Sequence, residues 1–454
     1  MKKKIGFVTG VAAVISSLWV EDATLKTVLF IIAFMIILVT EVIPILLLSI
    51  MALGIMPMIG ITDTFQDALV GFSSQVVFFI IMSFGLAKII SEVPLCKRML
   101  LKMFKIFGNR IDKMILAIMI CVALTSSFIS NVPACVIYMT FAEELLKLYE
   151  NEDKRKSTGK ALMLGISFAS MIGGIITPVG STVNILALDI LEESVGVQIG
   201  FVQWMSYGLT FAIIALPLCW MLLIKLFKPT ILSDKVTNGF IQSLDIPQRY
   251  TMAEIKVLGI MGIMIVLWIS SSWISSINVM LVLFMGVCIL SIPKVGVAEI
   301  EDVIKSVNWE IVFLAGVILS LSDILVKKGF GEVLGQYIPQ FQISIPLFCI
   351  FTSLCIFVLL LVVPIAQSLT MISVPLFIIV GQQVGVHPVF TTIICSMSIG
   401  CGYFLPLDAV YLVTYSKHYY TIKDMSRTSL GLTSSMTILL ATLGYGISYL
   451  WGLV

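Results

Sequence analysis

Apolar segments of membrane-spanning length recur along the whole chain, separated by short polar stretches. About 20 apolar residues in a helix cross the roughly 30 Å hydrocarbon core of a bilayer. The segments do not alternate in polarity as membrane β-strands do. The pattern therefore predicts an all-α polytopic membrane protein. The predicted segments are 5–20, 26–41, 43–60, 69–92, 113–147, 161–191, 204–224, 257–273, 277–292, 309–326, 344–382, 388–416 and 429–452.

Two of these segments, 113–147 and 344–382, are too long for one crossing and carry polar residues near their centres. Each is predicted to be a helical hairpin that enters and leaves the membrane on the same side. The other segments then give about 11 transmembrane helices, at about 20 residues for each crossing. Composition agrees, because 59% of the residues are apolar and 12% are charged. Soluble domains carry about 25% charged residues, so we expect a lipid bilayer and no nucleic acid as partner.

Basic residues predict the orientation of the chain. With a cytoplasmic N-terminus and both hairpins re-entrant, the 28 Lys and Arg residues lie on the cytoplasmic side except Lys26, Lys88, Lys327 and Lys328. This distribution satisfies the positive-inside rule. A full crossing at either hairpin would move every later basic loop to the other side. The hairpins then open from opposite faces of the cell (inner) membrane, which predicts an inverted repeat.

The same order of elements occurs in both halves: a span, a hairpin, a broken span and a final helix. The stretch 75–81 also resembles 310–316. The predicted organisation is N-terminal scaffold helices at 1–60, repeat 1 at 61–228 with hairpin 113–147 and broken helix 161–191, a cytoplasmic linker at 229–256, and repeat 2 at 257–454 with hairpin 344–382 and broken helix 388–416.

In the first half, polar residues mark the hairpin tip and the break in the next span. Ser126, Ser130 and Asn131 lie at the tip, and the returning half-helix would present its positive end there, which suits an anion. The stretch 173–184 contains three Gly, one Pro and several hydroxyl or amide side chains. Unwound backbone of this kind frees carbonyls for a hard cation and side chains for a carboxylate. The alternatives are a kinked helix at the tip and small-residue helix packing at the break.

The second half has fewer polar residues at its hairpin tip and a carboxylate in its broken span. Pro364, Gln367, Ser368 and Thr370 lie at the tip, and Gln367 is a buried amide that needs partners. Asp408 lies in the broken span. An ionisable side chain inside a membrane is costly, so we expect Asp408 to have a function. It could ligate a cation or carry a proton. The alternative is a structural ion pair with Lys417 or Lys423.

These motifs, in this order, resemble those of the divalent anion/sodium symporter family of dicarboxylate, citrate and sulfate carriers. That family has Ser-Asn-Thr at the tip of each hairpin and a Thr-Pro-Pro-Asn-like turn in each partner helix. The matching stretches here are 130–132 and 180–184, then 368–370 and 405–415. Val132 and Leu369 replace two expected substrate donors, and Asp408 alters the second turn.

The resemblance implies a homodimer with a scaffold domain and a mobile transport domain, and it assigns roles by position. The first Na+ site would be Ser126, Ser130, Asn131 and Gly180, and the second would be Pro364, Ser368 and Asp408. Substrate carboxylates would be held by Asn131, Ser181, Thr182 and Thr370, with Gln367 as a substitute for a missing donor.

We therefore expect a sodium-coupled secondary transporter of small divalent anions, above all C4-dicarboxylates, that works by alternating access. A sodium-independent exchanger or a proton-coupled carrier remains the alternative, with sulfate or a tricarboxylate as possible cargo. An intramembrane hydrolase is disfavoured, because a nucleophile needs a base beside it and the two His residues lie near span ends.

Overall fold

The structure, a computed structural model, describes most of the chain. The described residues are 19–20, 22–40, 42–108, 110–230, 239–240, 247, 249–274, 276–328, 343–362, 366–402, 404–405 and 408–453. Most of the predicted first span, 5–20, therefore lies outside the described residues, as does Pro364.

All regular secondary structure in the described residues is helical, which confirms the predicted fold class. The helices of the first half are α1 (Ala23–Thr40), α2 (Ile45–Met58), α3 (Gln75–Ser91), α4 (Leu95–Phe107), α5 (Ile111–Ile129), α6 (Asn131–Leu146), α7 (Glu152–Gly174), α8 (Thr182–Val195) and α9 (Phe201–Phe227). Those of the second half are α10 (Met252–Ser270), α11 (Val279–Leu290), α12 (Trp309–Lys327), α13 (Ile345–Val362), α14 (Ala366–Gln383), α15 (Pro388–Cys401), α16 (Ala409–Tyr415) and α17 (Ile422–Leu450). Short helical turns at Phe65–Ala68, Val70–Ser73, Pro178–Gly180 and Ile300–Lys305 complete the set.

Four of the described helices are each long and apolar enough to cross a membrane alone: α5, α9, α10 and α17. The pair α3 and α4 qualifies only when taken together, and it is bent by 65°. Three further apolar helices are shorter, with 14 residues in α2, 12 in α11 and 14 in α15.

Helix α4 was not predicted, because its apolar residues repeat with helical period inside a basic stretch. Cys96, Leu100 and Phe104 lie on its buried face, whereas Lys102 and Lys105 are exposed. This amphipathic pattern suits a helix lying along an interface. A search for continuous apolar runs cannot detect such a helix.

The two halves of the chain contact each other through the helices that follow their breaks. The first helix pair (α5 and α6) packs against α7, and the second helix pair (α13 and α14) packs against α15. Helix α8, from the first half, contacts α14, while α16, from the second half, contacts α6. Each half therefore contributes the helix that follows its break to the helix pair of the other half.

Candidate functional site

A sharp turn at Ser130 separates α5 from α6. Ser130 has φ = 74° and is flanked directly by the last residue of α5 and the first residue of α6. A positive φ is uncommon for any residue with a side chain. Such a conformation costs about 1–3 kcal/mol and persists where the surroundings hold it in place. The half-buried Ser130 hydroxyl forms no hydrogen bond within the described part of the chain.

Oxygen atoms cluster around the side chain of Asn131, directly after this turn. Its Oδ1 lies 2.8 Å from Ser126 Oγ, 3.1 Å from the carbonyl oxygen of Ser170 and 3.2 Å from that of Gly180. Ser126 has one proton to share between Asn131 Oδ1 and the Ser170 carbonyl, which lies 2.7 Å away. The cluster therefore has fewer protons than close oxygen contacts.

Two arrangements can satisfy this cluster. A half-turn of the Asn131 amide would place Nδ2 where it donates to the carbonyls of Ser170 and Gly180 and to Ser126 Oγ. Alternatively, a hard cation can take the same oxygens as ligands, because unwound carbonyls, hydroxyls and amide oxygens are the donor set that Na+ uses in transporters. Three of the four residues, Ser126, Asn131 and Gly180, are ones the sequence predicted for sodium. Ser170 was missed, since it contributes its backbone carbonyl, which every residue type has.

Asn184 fixes the unwound turn between α7 and α8. Its Nδ2 donates to the carbonyl oxygens of Gly174 (2.7 Å) and Thr177 (2.9 Å). Its Oδ1 accepts a hydrogen bond from Ser396 Oγ on α15, at 3.1 Å. Asn184 is fully buried, and its amide pairs the Gly174 carbonyl at the end of α7. The Thr177 carbonyl accepts a second hydrogen bond, from the N–H of Gly180 at 3.2 Å. The sequence offered Asn184 as one of the side chains that can bond a carboxylate, whereas its amide bonds to protein groups in the structure.

Trp204, on α9, supports the same turn from outside. Its Nε1 donates to the carbonyl oxygen of Ile175 at 3.0 Å, and its side chain is fully buried. Ile175 directly follows the last residue of α7, where carbonyls lose their helical partners. The turn that carries Gly180 is thus held by side chains from two other helices, α9 and α15.

The predicted substrate residues of the two halves meet at one hydrogen bond. Gln367 Nε2 donates to Thr182 Oγ1 at 3.0 Å. Thr182 is the first residue of α8, and Gln367 is the second residue of α14. Ser181 caps α8, its Oγ accepting from the backbone N–H of Val183. Two helix N-termini, both positive ends, therefore lie side by side.

The other residues predicted for the site in the second half make separate contacts and do not form one cluster. Ser368 is fully buried, and its Oγ has no hydrogen-bond partner among the described residues. Thr370 Oγ1 donates to the carbonyl oxygen of Ala366 in its own helix, at 2.8 Å. Pro364 and most of the turn before Asp408 lie outside the described residues.

Asp408 caps a helix and takes no part in an ion pair with a lysine of the described chain. Its Oδ1 accepts a hydrogen bond from the backbone N–H of Val410 at 2.9 Å, at the start of α16. Lys417 instead pairs with Glu143 at 2.9 Å. The half-buried carboxylate of Asp408 is thus not neutralised by either lysine considered from the sequence.

The fold is similar to that of a solved transporter. The YdaH transporter of Alcanivorax borkumensis matches with a TM-score of 0.58, covering 84% of this chain and 87% of that chain, at 13% identity. At this identity the likeness concerns the fold alone. Together with the apolar helices and their polar breaks, this fold indicates a multi-pass membrane protein.

Sequence comparisons define the family. Residues 35–394 match the family model described as "Citrate transporter", so the chain belongs to the citrate transporter family. A sodium-dependent dicarboxylate transporter, SdcS, of Staphylococcus saprophyticus is 25% identical over 396 residues, covering 81% of this chain and 75% of that protein. SdcS of Staphylococcus aureus (strain USA300) is 23% identical, covering 88% and 82%. An uncharacterized transporter of Haemophilus influenzae is 24% identical, covering 85% and 84%.

These matches confirm the resemblance to the divalent anion/sodium symporter family. The protein is a secondary transporter of anions and not an enzyme.

Proposed function

We propose that the protein carries a small divalent anion, above all a C4-dicarboxylate, together with Na+. The observation that carries this proposal is the convergence of the Asn131 amide, Ser126 Oγ and the carbonyls of Ser170 and Gly180 beside the Ser130 turn. With the amide oxygen of Asn131 facing the other three groups, all four would offer oxygen ligands to a hard cation. The names of the SdcS relatives, which specify sodium dependence and dicarboxylates, support the same cargo.

Sodium bound at Asn131 would prepare the anion site. The cluster joins the Ser130 turn to the unwound turn at Gly180, and Ser181 and Thr182 directly follow that glycine. Ordering of Gly180 by a cation would therefore fix the first turn of α8. An anion that binds there favours the same ordered state, so each ligand raises the affinity for the other.

The anion would be held by helix ends, hydroxyls and amides. Ser181 and Thr182 lie at the N-terminus of α8, beside the N-terminus of α14. Asn131 would bind from the first helix pair. Thr370 would join only if its hydroxyl released the carbonyl of Ala366. Ser368, whose hydroxyl has no hydrogen-bond partner among the described residues, would form the second cation site with Asp408 and Pro364.

The proposed transport mechanism is alternating access by two inverted repeats, 61–228 and 257–454, with both helix pairs re-entrant. The crossed packing of α8 on α14 and of α16 on α6 supports the repeat. In this scheme the N-terminus is cytoplasmic, residues 1–60 belong to the scaffold, 229–256 form a cytoplasmic linker, and two copies assemble as a homodimer in the inner membrane.

The test is uptake of labelled succinate into proteoliposomes of the purified protein. One set of vesicles receives an inward Na+ gradient, and a second, sodium-free set is preloaded with unlabelled succinate. The proposal predicts uptake only in the first set. Uptake only in the preloaded set would contradict sodium coupling and indicate an exchanger. Absence of uptake in both sets would contradict succinate as cargo, and sulfate and citrate would then be compared.

A proton-coupled carrier is the second candidate. The observation in its favour is the half-buried Asp408 carboxylate, which forms no ion pair with a lysine in the described part of the chain. Asp408→Asn keeps a side chain that caps helices about as well as Asp does, so the fold should survive. In a proton-coupled carrier this substitution would abolish the dependence of uptake on pH. In a sodium-coupled carrier the pH profile would keep its shape.

A further inference from the structure

The hydrogen bond between Gln367 and Thr182 joins the two halves of the chain at their helix N-termini. The donor is Gln367 Nε2 on α14, the acceptor is Thr182 Oγ1 on α8, and the two atoms are 3.0 Å apart. Thr182 is 9% exposed, and Gln367 is half-buried. The amide nitrogen of Gln367 is therefore already engaged by a protein group.

A threonine hydroxyl has one proton to donate and two lone pairs that accept. Gln367 occupies a lone pair of Thr182, so the proton of that hydroxyl remains to be given to another acceptor. The described residues provide none: Thr182 Oγ1 donates to no protein atom there. Thr370 is different, since its hydroxyl donates to the carbonyl of Ala366. Thr182 thus presents a nearly buried O–H donor without an acceptor, at the positive end of α8.

We propose that Gln367 is a positioning residue that aims the hydroxyl proton of Thr182 at a carboxylate oxygen of the transported anion. This inference rests on the proposed function. A hydroxyl that accepts one hydrogen bond becomes a stronger donor in the next. The chain Gln367 N–H to Thr182 O–H to carboxylate therefore runs from one half of the protein through the other to the cargo.

This role differs from the direct contact with substrate that the sequence suggested for Gln367. It also explains why an amide suits residue 367. A carboxylate at that position would accept the proton of Thr182, so the hydroxyl could no longer donate to an anion, and it would add a negative charge beside the cargo. The arrangement selects for anionic carboxylates and against neutral or cationic cargo.

The test compares Gln367→Met, Gln367→Glu, Thr182→Val and the double variant Gln367→Met/Thr182→Val in sodium-driven succinate uptake. Gln382→Met is the matched control, because it makes the same change at the exposed far end of α14. We expect Gln367→Met to raise the KM for succinate at least about tenfold, as for a hydrogen bond to a charged group. The apparent affinity for Na+ and the maximal rate should change less than about twofold, because the Asn131 cluster is untouched.

The double variant shows whether Gln367 acts on the anion through Thr182, here called the relay, or whether the two residues affect the anion independently. If Gln367 acts only through Thr182, the KM of Gln367→Met/Thr182→Val equals that of Thr182→Val, whereas independent effects would multiply. Gln367→Glu should lose succinate uptake more completely than Gln367→Met. Thr182→Ser, which keeps the hydroxyl, should lose less affinity than Thr182→Val, and this pair remains informative if the Gln367 variants fail to fold.

Several results would overturn the inference. A wild-type KM in Gln367→Met, or multiplying effects in the double variant, would remove the relay while leaving the proposed function intact. A parallel loss of Na+ affinity and succinate affinity would assign Gln367 a structural role instead. Wild-type protein that takes up no succinate under a sodium gradient would overturn the proposed function, and the inference with it.

Discussion

Gly174 lies directly against the side chain of Asn131. A Cβ atom at residue 174 would be 2.1 Å from Asn131 Oδ1 and 2.9 Å from both Cγ and Nδ2. The last residue of α7 must therefore be a glycine for the Asn131 amide to reach the carbonyls of Ser170 and Gly180. The position of the amide depends on the absence of one methyl group.

Gly174→Ala should consequently displace the Asn131 amide from the oxygen cluster. We expect the affinity for Na+ to fall at least about tenfold, because one cation ligand is lost and the cluster is spread. The measurement is the sodium concentration that gives half-maximal succinate uptake.

Gly262→Ala is the control for this change, since a Cβ at residue 262 on α10 would have nothing within 4 Å. It should transport as the wild type does. A Gly174→Ala protein with unaltered sodium dependence would show that Asn131 is not a cation ligand.

Asn184→Asp should destabilise the fold more than it changes any ligand contact. The new carboxylate oxygen would face the carbonyls of Gly174 and Thr177. Gly174 would lose the donor that Asn184 provides, whereas Thr177 would keep the N–H of Gly180. Each unpaired buried group costs about 1–3 kcal/mol, so a clear fall in the melting temperature of the detergent-purified protein is expected.

Ser396→Ala removes only the bond at Asn184 Oδ1 and leaves both carbonyls paired. Its melting temperature should fall by less than that of Asn184→Asp. Equal falls in the two variants would mean that the paired carbonyls of the turn contribute little to stability.

Trp204 and Trp220 allow a matched comparison on α9. Each donates its indole N–H to a backbone carbonyl, Trp204 to Ile175 (3.0 Å) and Trp220 to Asp112 (2.8 Å). Only the first carbonyl belongs to the turn that precedes Gly180. Trp204→Phe should therefore weaken Na+ binding severalfold, whereas Trp220→Phe should leave sodium dependence unchanged.

Both variants lose one hydrogen bond, so a comparison of their melting temperatures shows how much stability each loss costs apart from any effect on Na+ binding. The informative quantity is the ratio of half-saturating sodium concentrations in the two proteins. A ratio near one would show that the Ile175 contact does not position the cation site.

The sequence predicted the elements of the fold better than the contacts of the site. Most spans and the break before Thr182 were predictable. Lipid requires long apolar helices, so a polar interruption within one is easy to recognise in the sequence. Helix α4 was not predictable in this way, since its apolar residues lie on one face of the helix and are not consecutive in the sequence. Among the described cluster residues, Ser126, Asn131 and Gly180 were predicted because they lie at a polar tip or break.

The remaining contacts depend on packing that a linear pattern does not contain. Ser170 contributes its carbonyl, and every residue type has one. Trp204 acts on Ile175 from a different helix. Gln367 was recognised as an amide in need of partners, but its partner, Thr182, is 185 positions away. Residue type predicted a need for hydrogen bonds, and only the fold determined which groups meet that need.

Na+ bound at Asn131 is proposed to prepare the anion site, and ligand-dependent melting of the purified protein measures this coupling without relying on transport. Wild type and Asn131→Ala would be heated in NaCl or choline chloride, each with and without succinate. A ligand that binds only the folded state raises the melting temperature. For wild type we predict stabilisation by Na+ alone, none by succinate in choline, and the largest rise with both. Asn131→Ala should lose all of these shifts. Equal stabilisation by succinate in choline and in sodium would show that the anion site forms without bound Na+.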